Sequence, residues 1–146
     1  MLVTIAIPCL LQGGTEFQTL QLARVLRGAG HEVSVCCYFE RDPAMVARFE
    51  ETGARVELLG LDRSTSLLRL LGELRKWFAA AKPDVVHVQY MAPGFVPVLA
   101  ARLAGVPRVF ATVHQPATPH GWKARLLLRL AARTRKYSAC PCWRRL

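Results

Sequence analysis

The chain of 146 residues is the length of one domain, and its 52% hydrophobic content excludes an intrinsically disordered polymer. The net charge of +10 is uneven: residues 1–84 carry ten basic and ten acidic side chains, residues 85–146 ten basic and none acidic. The acid-free stretch disfavours a hydrolase that needs two carboxylates there. It suits contact with phosphate, nucleic acid or an anionic membrane, or else a basic face that an acidic partner domain covers.

The opening MLVTIAIPCLLQGG has no basic leader and is broken by Pro8, so it is no signal peptide. No run reaches the ~20 apolar residues of a membrane span. A cytoplasmic protein is expected, with peripheral membrane contact as an addition. Five cysteines, Cys9, Cys36, Cys37, Cys140 and Cys142, lack zinc-ligand spacing and read as structural thiols of a reducing compartment.

Along the chain, aliphatic runs alternate with helical periods. Leu2–Ile7 reads as a buried strand running into a Pro and Gly loop. Thr15, with Gln18 three residues on, offers a capping box for a first helix closed by Gly28 and Gly30. Thr19, Leu22, Ala23 and Leu26 form its apolar face. Strands follow at Glu32–Tyr38 and Arg55–Leu59, with a short helix at Pro43–Glu51 between them. Ser64–Ala81 is a strongly amphipathic helix with Leu67, Leu70, Leu71, Leu74, Trp77 and Phe78 on one side. A fourth strand, Val85–Gln89, a helix near Phe95–Ala104 and a fifth strand, Arg108–Val113, continue the alternation. Residues 122–136 give one more helix, with Arg125, Arg129, Arg133 and Lys136 as a basic stripe. Residues 134–146 show no period.

Strands that are aliphatic throughout and separated by helices predict a Rossmann-like α/β fold: a doubly wound parallel sheet in three layers, α/β/α. Ligands of such sheets bind beyond the carboxyl ends of the strands. Pro8–Thr15, Gln89–Gly94 and His114–His120 are the loops to watch. In the first, Gly13 and Gly14 let a backbone approach a ligand closely, and the helix N-terminus behind them suits a phosphate. A plain glycine turn is the alternative. His31 reads as a strand-start residue and His87 as a satisfied core histidine. His114, just past the fifth strand, could hydrogen-bond a sugar hydroxyl or steady developing charge. The dinucleotide glycine fingerprint and the P-loop lysine are absent, so a dehydrogenase or P-loop enzyme is disfavoured. Nucleic-acid binding has the charge but no motif. A non-catalytic module for nucleotides or anionic lipid, held through Arg125, Arg129 and Arg133, stands as the alternative to an enzyme.

The segments GGTEFQTLQLARVLRGAGHEVSV (13–35), KPDVVHVQY (82–90) and AARLAGVPRVFATVHQ (100–115) together resemble the amino-terminal domain of GT-B retaining glycosyltransferases, in particular glycosyltransferase family 4. The resemblance covers most of residues 1–133. It implies one half of a GT-B fold, transfer of a sugar from a nucleotide donor to a glycan or lipid-linked acceptor with retained configuration, and no metal or cofactor beyond that co-substrate. It also implies that Gly13 and Gly14 approach the donor phosphates and that His114 reaches the transferred sugar. Glu16 matches the same pattern as a substrate-side residue. The family's donor-binding domain, with its pair of glutamates, is not in this sequence, so the chain is expected to be truncated and inactive alone. The tail 134–146 is expected to be foreign to the domain, through a frameshift or early stop.

Overall fold

The computed structural model describes residues 1–90 and 95–113. They belong to a compact unit, Met1–Pro116; the second unit, Ala117–Leu146, lies wholly outside the described residues, with the predicted basic helix, Arg125, Arg129, Arg133, Cys140, Cys142 and the tail.

Five strands, β1 (Leu2–Ile7), β2 (Glu32–Cys37), β3 (Arg55–Leu58), β4 (Val85–Tyr90) and β5 (Arg108–Val113), form one parallel sheet in the order β3-β2-β1-β4-β5. Helices α1 (Gly14–Gly28), α2 (Pro43–Glu50), α3 (Leu67–Ala81) and α4 (Val96–Leu103) make the connections. Because side chains alternate across a strand, the sheet feeds two cores. Ile5, Ile7, Val33, Val35 and Cys37 pack beneath Leu20 and Ala23 of α1 and Met45 and Phe49 of α2. Ala6, Cys36, Val86, Val88 and Val109 pack on the other face against Leu70, Leu74 and Phe78 of α3 and Val98, Ala100 and Ala101 of α4. This is the three-layer doubly wound fold expected from the strand composition. Adjacent Cys36 and Cys37 enter opposite cores.

The chain runs leftward from β1 to β3, then crosses through α3 to β4 on the other side of β1. The strand order therefore reverses between β1 and β4, which is where sheets of this kind open a crevice at their carboxyl ends. The loop that follows β1 starts there.

Two helix starts differ from the sequence reading. α1 begins at Gly14 with Gly13 as N-cap, two residues ahead of the expected Thr15 cap. Thr15 lies inside the first turn, and its carbonyl accepts from Thr19 Oγ1 at 2.7 Å. α3 begins at Leu67, capped by Ser66, whose hydroxyl accepts from the Arg69 N–H at 3.4 Å. Ser64 is instead used in a turn, where its N–H donates to Asp62 Oδ1 at 2.7 Å. The later start leaves Leu67 65% and Leu68 81% exposed, so Leu67 does not join the apolar face of α3 assigned to it. The helix ends where Lys82 takes a left-handed conformation, φ 48°, as the C-cap ahead of Pro83.

Phe78 is fully buried among α3, α4 and the sheet, so Phe78→Ala should cost about 3–5 kcal/mol of stability in urea unfolding. Leu68→Ala, on the solvent side of the same helix, should stay within about 0.5 kcal/mol.

Candidate functional site

At the carboxyl edge, the chain leaves β1 through Pro8 and is clasped to the exit of β2. Phe39 N–H donates to the Pro8 carbonyl at 2.9 Å, Leu10 N–H to the Glu40 carbonyl at 2.9 Å, and Asp42 N–H to the Leu10 carbonyl at 2.7 Å. Leu10 and Arg41 form an isolated parallel bridge that prolongs the β1–β2 ladder past the strands. Asp42 adds two further ties. One carboxylate oxygen caps α2 by accepting from Ala44 N–H at 2.9 Å, and the other accepts from Gln12 Nε2 at 2.7 Å. The hydrogen bond from Gln12, then that from Ala44, holds the Asp42 carboxyl below its ordinary range. Both backbone and side chains thus fix the loop that delivers Gly13.

The two glycines answer to different constraints. Gly13 has φ −134° and ψ 168°, extended backbone open to any residue. What it lacks is room: a Cβ there would lie 2.5 Å from Glu16 Oε2. At Gly14 a Cβ would meet none of the described residues within 4 Å, and this residue opens the helix. The N-cap, Gly13, has no side chain with which to bond the first turn, where the free amide N–H groups and the positive end of the helix dipole lie.

Glu16 is only 5% exposed. Its carboxylate folds back over Gly13 and accepts from Cys9 Sγ at 3.3 Å. The substrate-side residue expected from the sequence thus points inward, beneath the loop. Cys9 is itself buried at 7% exposure. Burial first, then the hydrogen bond to Glu16, pushes its thiol from an ordinary 9.0 up to about 12, so it stays a neutral donor. Cys37 lies nearby, its thiol directed at the Pro8 and Glu40 carbonyls, and burial raises it to about 11. Cys9, Cys36 and Cys37 are free thiols.

Arg63, in the loop between β3 and α3, brings a cation to the same edge. It ion-pairs with Glu40, its guanidinium stands 5.9 Å from the centre of the Phe39 ring, and its charge is felt at Cys9. The pair is well exposed, so it contributes little to stability. Cys9, Arg63 and the Gln12–Asp42 tie were not singled out in the sequence. No motif marks them, because their partners are 7, 23 and 30 residues away.

The other predicted positions fall elsewhere. Gln89 is buried at 4% near the end of β4. Residues 91–94 of the following loop lie outside the described residues, as does His114 with the loop to His120. His87 is half-buried in β4 and hydrogen-bonded at 2.7 Å to Thr112 Oγ1, the satisfied histidine expected of it. It lines, with His31, Leu22, Leu26, Phe110 and Thr112, a depression of about 390 Å³ on the α1 side of the sheet. That depression is set toward the amino ends of the strands, where Met1 and Val85 also lie, and is distinct from the glycine edge. Among the described residues no cluster of His, Cys, Asp or Glu could hold a metal ion, and no helix is long and apolar enough to cross a membrane.

The sequence pattern of Glycosyltransferase Family 4 matches residues 12–144. The chain belongs to that family. The match opens at the glycine turn and runs on into the stretch that shows no period of its own. A phosphatidyl-myo-inositol mannosyltransferase of Mycolicibacterium smegmatis is 32% identical over 111 residues, 73% of this chain. The chain spans 28% of that relative's length. Among solved structures, a glycosyltransferase of Rickettsia africae superposes with a TM-score of 0.66 at 17% identity, over 84% of this chain and 32% of the other. MurG of Acinetobacter baumannii gives 0.61 at 18% identity, over 88% and 38%. These likenesses agree on the Rossmann-like half of a GT-B architecture.

The thiols beneath the family's glycine turn make stability depend on pH. Their folded pKa values, about 12 and 11, lie above the ordinary 9.0. Their contribution is therefore whole below about pH 9 and lost as pH rises through the folded values. Urea midpoints should fall between about pH 8.5 and 10.5, and the fall should be shallower in Cys9→Ser, whose hydroxyl does not titrate there.

Proposed function

We propose that this domain forms the acceptor-side wall of a retaining glycosyltransferase cleft. In this reading the Gly13-Gly14 turn and the N-terminus of α1 receive the diphosphate of a nucleotide-sugar donor. The observation that carries it is that no described residue lies over Gly14, at a helix start whose N-cap is a glycine, beside the switch point of the sheet. Developing negative charge on the leaving diphosphate would meet oriented N–H groups and the helix dipole, already in place before reaction. His114, which follows β5 directly in sequence, is the group proposed to reach the transferred sugar. A second Rossmann-like domain would supply the donor-binding wall of such a cleft.

The proposed acceptor is a glycan or a lipid-linked molecule. The mycobacterial relative is named for transfer to phosphatidyl-myo-inositol. An anionic headgroup suits the acid-free stretch 85–146 with Arg125, Arg129 and Arg133. Contact with an anionic membrane belongs to the same proposal.

Gly14 separates binding from folding. Gly14→Ala should fold at least as stably as the wild type, since Ala gains up to about 1 kcal/mol over Gly in a helix and its Cβ meets none of the described residues. The same Cβ occupies the ligand's approach, so calorimetry with a panel of UDP- and GDP-sugars should show binding weakened by about tenfold or more, ~1.4 kcal/mol. Equal affinity in both proteins would remove the diphosphate from this turn.

A further inference from the structure

Glu16 is the one buried charged residue among the described residues, and the reading above gives it no contact with substrate. A carboxylate at 5% exposure carries a large desolvation cost unless its surroundings repay it. Three features do so. The helix start just behind it offers positive potential at the third residue of α1. Cys9, kept protonated by its burial, donates to Oε1. The space where a Gly13 side chain would stand is given over to Oε2. The carboxylate therefore lies under the turn.

We propose that Glu16 is a positioning residue: wedged between Cys9 and Gly13, its carboxylate sets the turn so that the Gly14 and Thr15 amides face the donor diphosphate. The inference rests on the donor-edge reading of the previous section. Gly13 is glycine, on this account, because Glu16 needs the room, and neither residue has to touch the ligand. The carboxylate works from below as a spacer that fixes where the anion-binding amides stand. A Gln in its place keeps the shape and one carbonyl oxygen for the Cys9 thiol, so it should preserve most of the effect. Ala keeps neither. Gly13→Ala should act from the opposite side, because its Cβ drives the carboxylate out of place.

The test is a cycle of Glu16→Ala, Glu16→Gln, Gly13→Ala and the double Gly13→Ala/Glu16→Ala, made in the full chain. Affinity for GDP and UDP is read by calorimetry well below each melting temperature, and amide hydrogen exchange is read at Gly14 and Thr15. Glu16→Ala and Gly13→Ala should each weaken nucleotide binding by about tenfold to a hundredfold, as expected when binding groups are misplaced by an ångström. In the presence of nucleotide, both should leave the two amides less protected from exchange than in the wild type. Glu16→Gln should remain close to the wild type. The double variant should bind no worse than Glu16→Ala alone, because the new Cβ then enters vacated space.

Wild-type affinity in Glu16→Ala, or losses that simply add in the double variant, would overturn the positioning role while leaving the donor edge intact. A loss of melting temperature with unchanged affinity and exchange would show a structural role only, and overturn it too. Absence of nucleotide binding by the wild type would instead bring down the donor-edge reading, and this inference with it.

Discussion

The turn from β1 into α1 has to satisfy two demands that pull against each other. On the proposed reading, a helix start that receives an anion needs exposed N–H groups, yet a loop with exposed amides loses the hydrogen bonds that would hold it still. The chain resolves this by fixing the loop on its inner side alone. The Pro8, Leu10 and Gln12 ties hold the loop to the exit of β2, and the Cys9–Glu16 contact fills the space under Gly13. The rest of the edge depends on these ties, since the nearby Arg63–Glu40 pair and the α2 cap are built on the same segment, 40–42, that clasps the loop.

The sheet makes such precision possible. Helices cover both faces of β1 and β2 and one face of β4, and Ile5, Val35, Val86 and Val88 have no exposure at all. A close-packed interior of this kind deforms little, so the ends of β1 and β4 are fixed points. The order β3-β2-β1-β4-β5 sets Ala6 beside Val88 although they stand 82 positions apart in sequence.

Sequence pattern revealed this scaffold because its causes are local and repetitive. Runs such as VVHV in β4 and the Leu70–Leu74–Phe78 spacing in α3 carry their period with them. The glycine turn was visible too, as a place where backbone could meet a ligand. The division of labour within it was hidden. Two adjacent glycines read alike in a sequence, whereas a Cβ would collide at one and meet no described residue at the other. The same applies to Glu16. Its place in the family pattern suggested a substrate-side group, and only packing against Cys9 and Gly13 shows it turned inward. Helix starts were misplaced by two residues at Thr15 and at Ser64 for a related reason. Each has a good capping side chain, but Gly13 and Ser66 sit where the chain changes direction, and that is settled by the loops beyond.

The solved glycosyltransferases keep this fold at 17% and 18% identity, which follows from how the two kinds of constraint tolerate change. A valine facing a core can become isoleucine or leucine when a neighbour gives way, because burial is non-directional and volume can be shared. A sheet core can therefore be exchanged residue by residue. The pair Gly13 and Glu16 has no such freedom. A side chain added at Gly13 collides with the carboxylate, and a carboxylate removed from beneath the turn leaves Cys9 without its acceptor. A change at either residue disturbs the packing of the other, whereas a change within a strand core is shared among its neighbours.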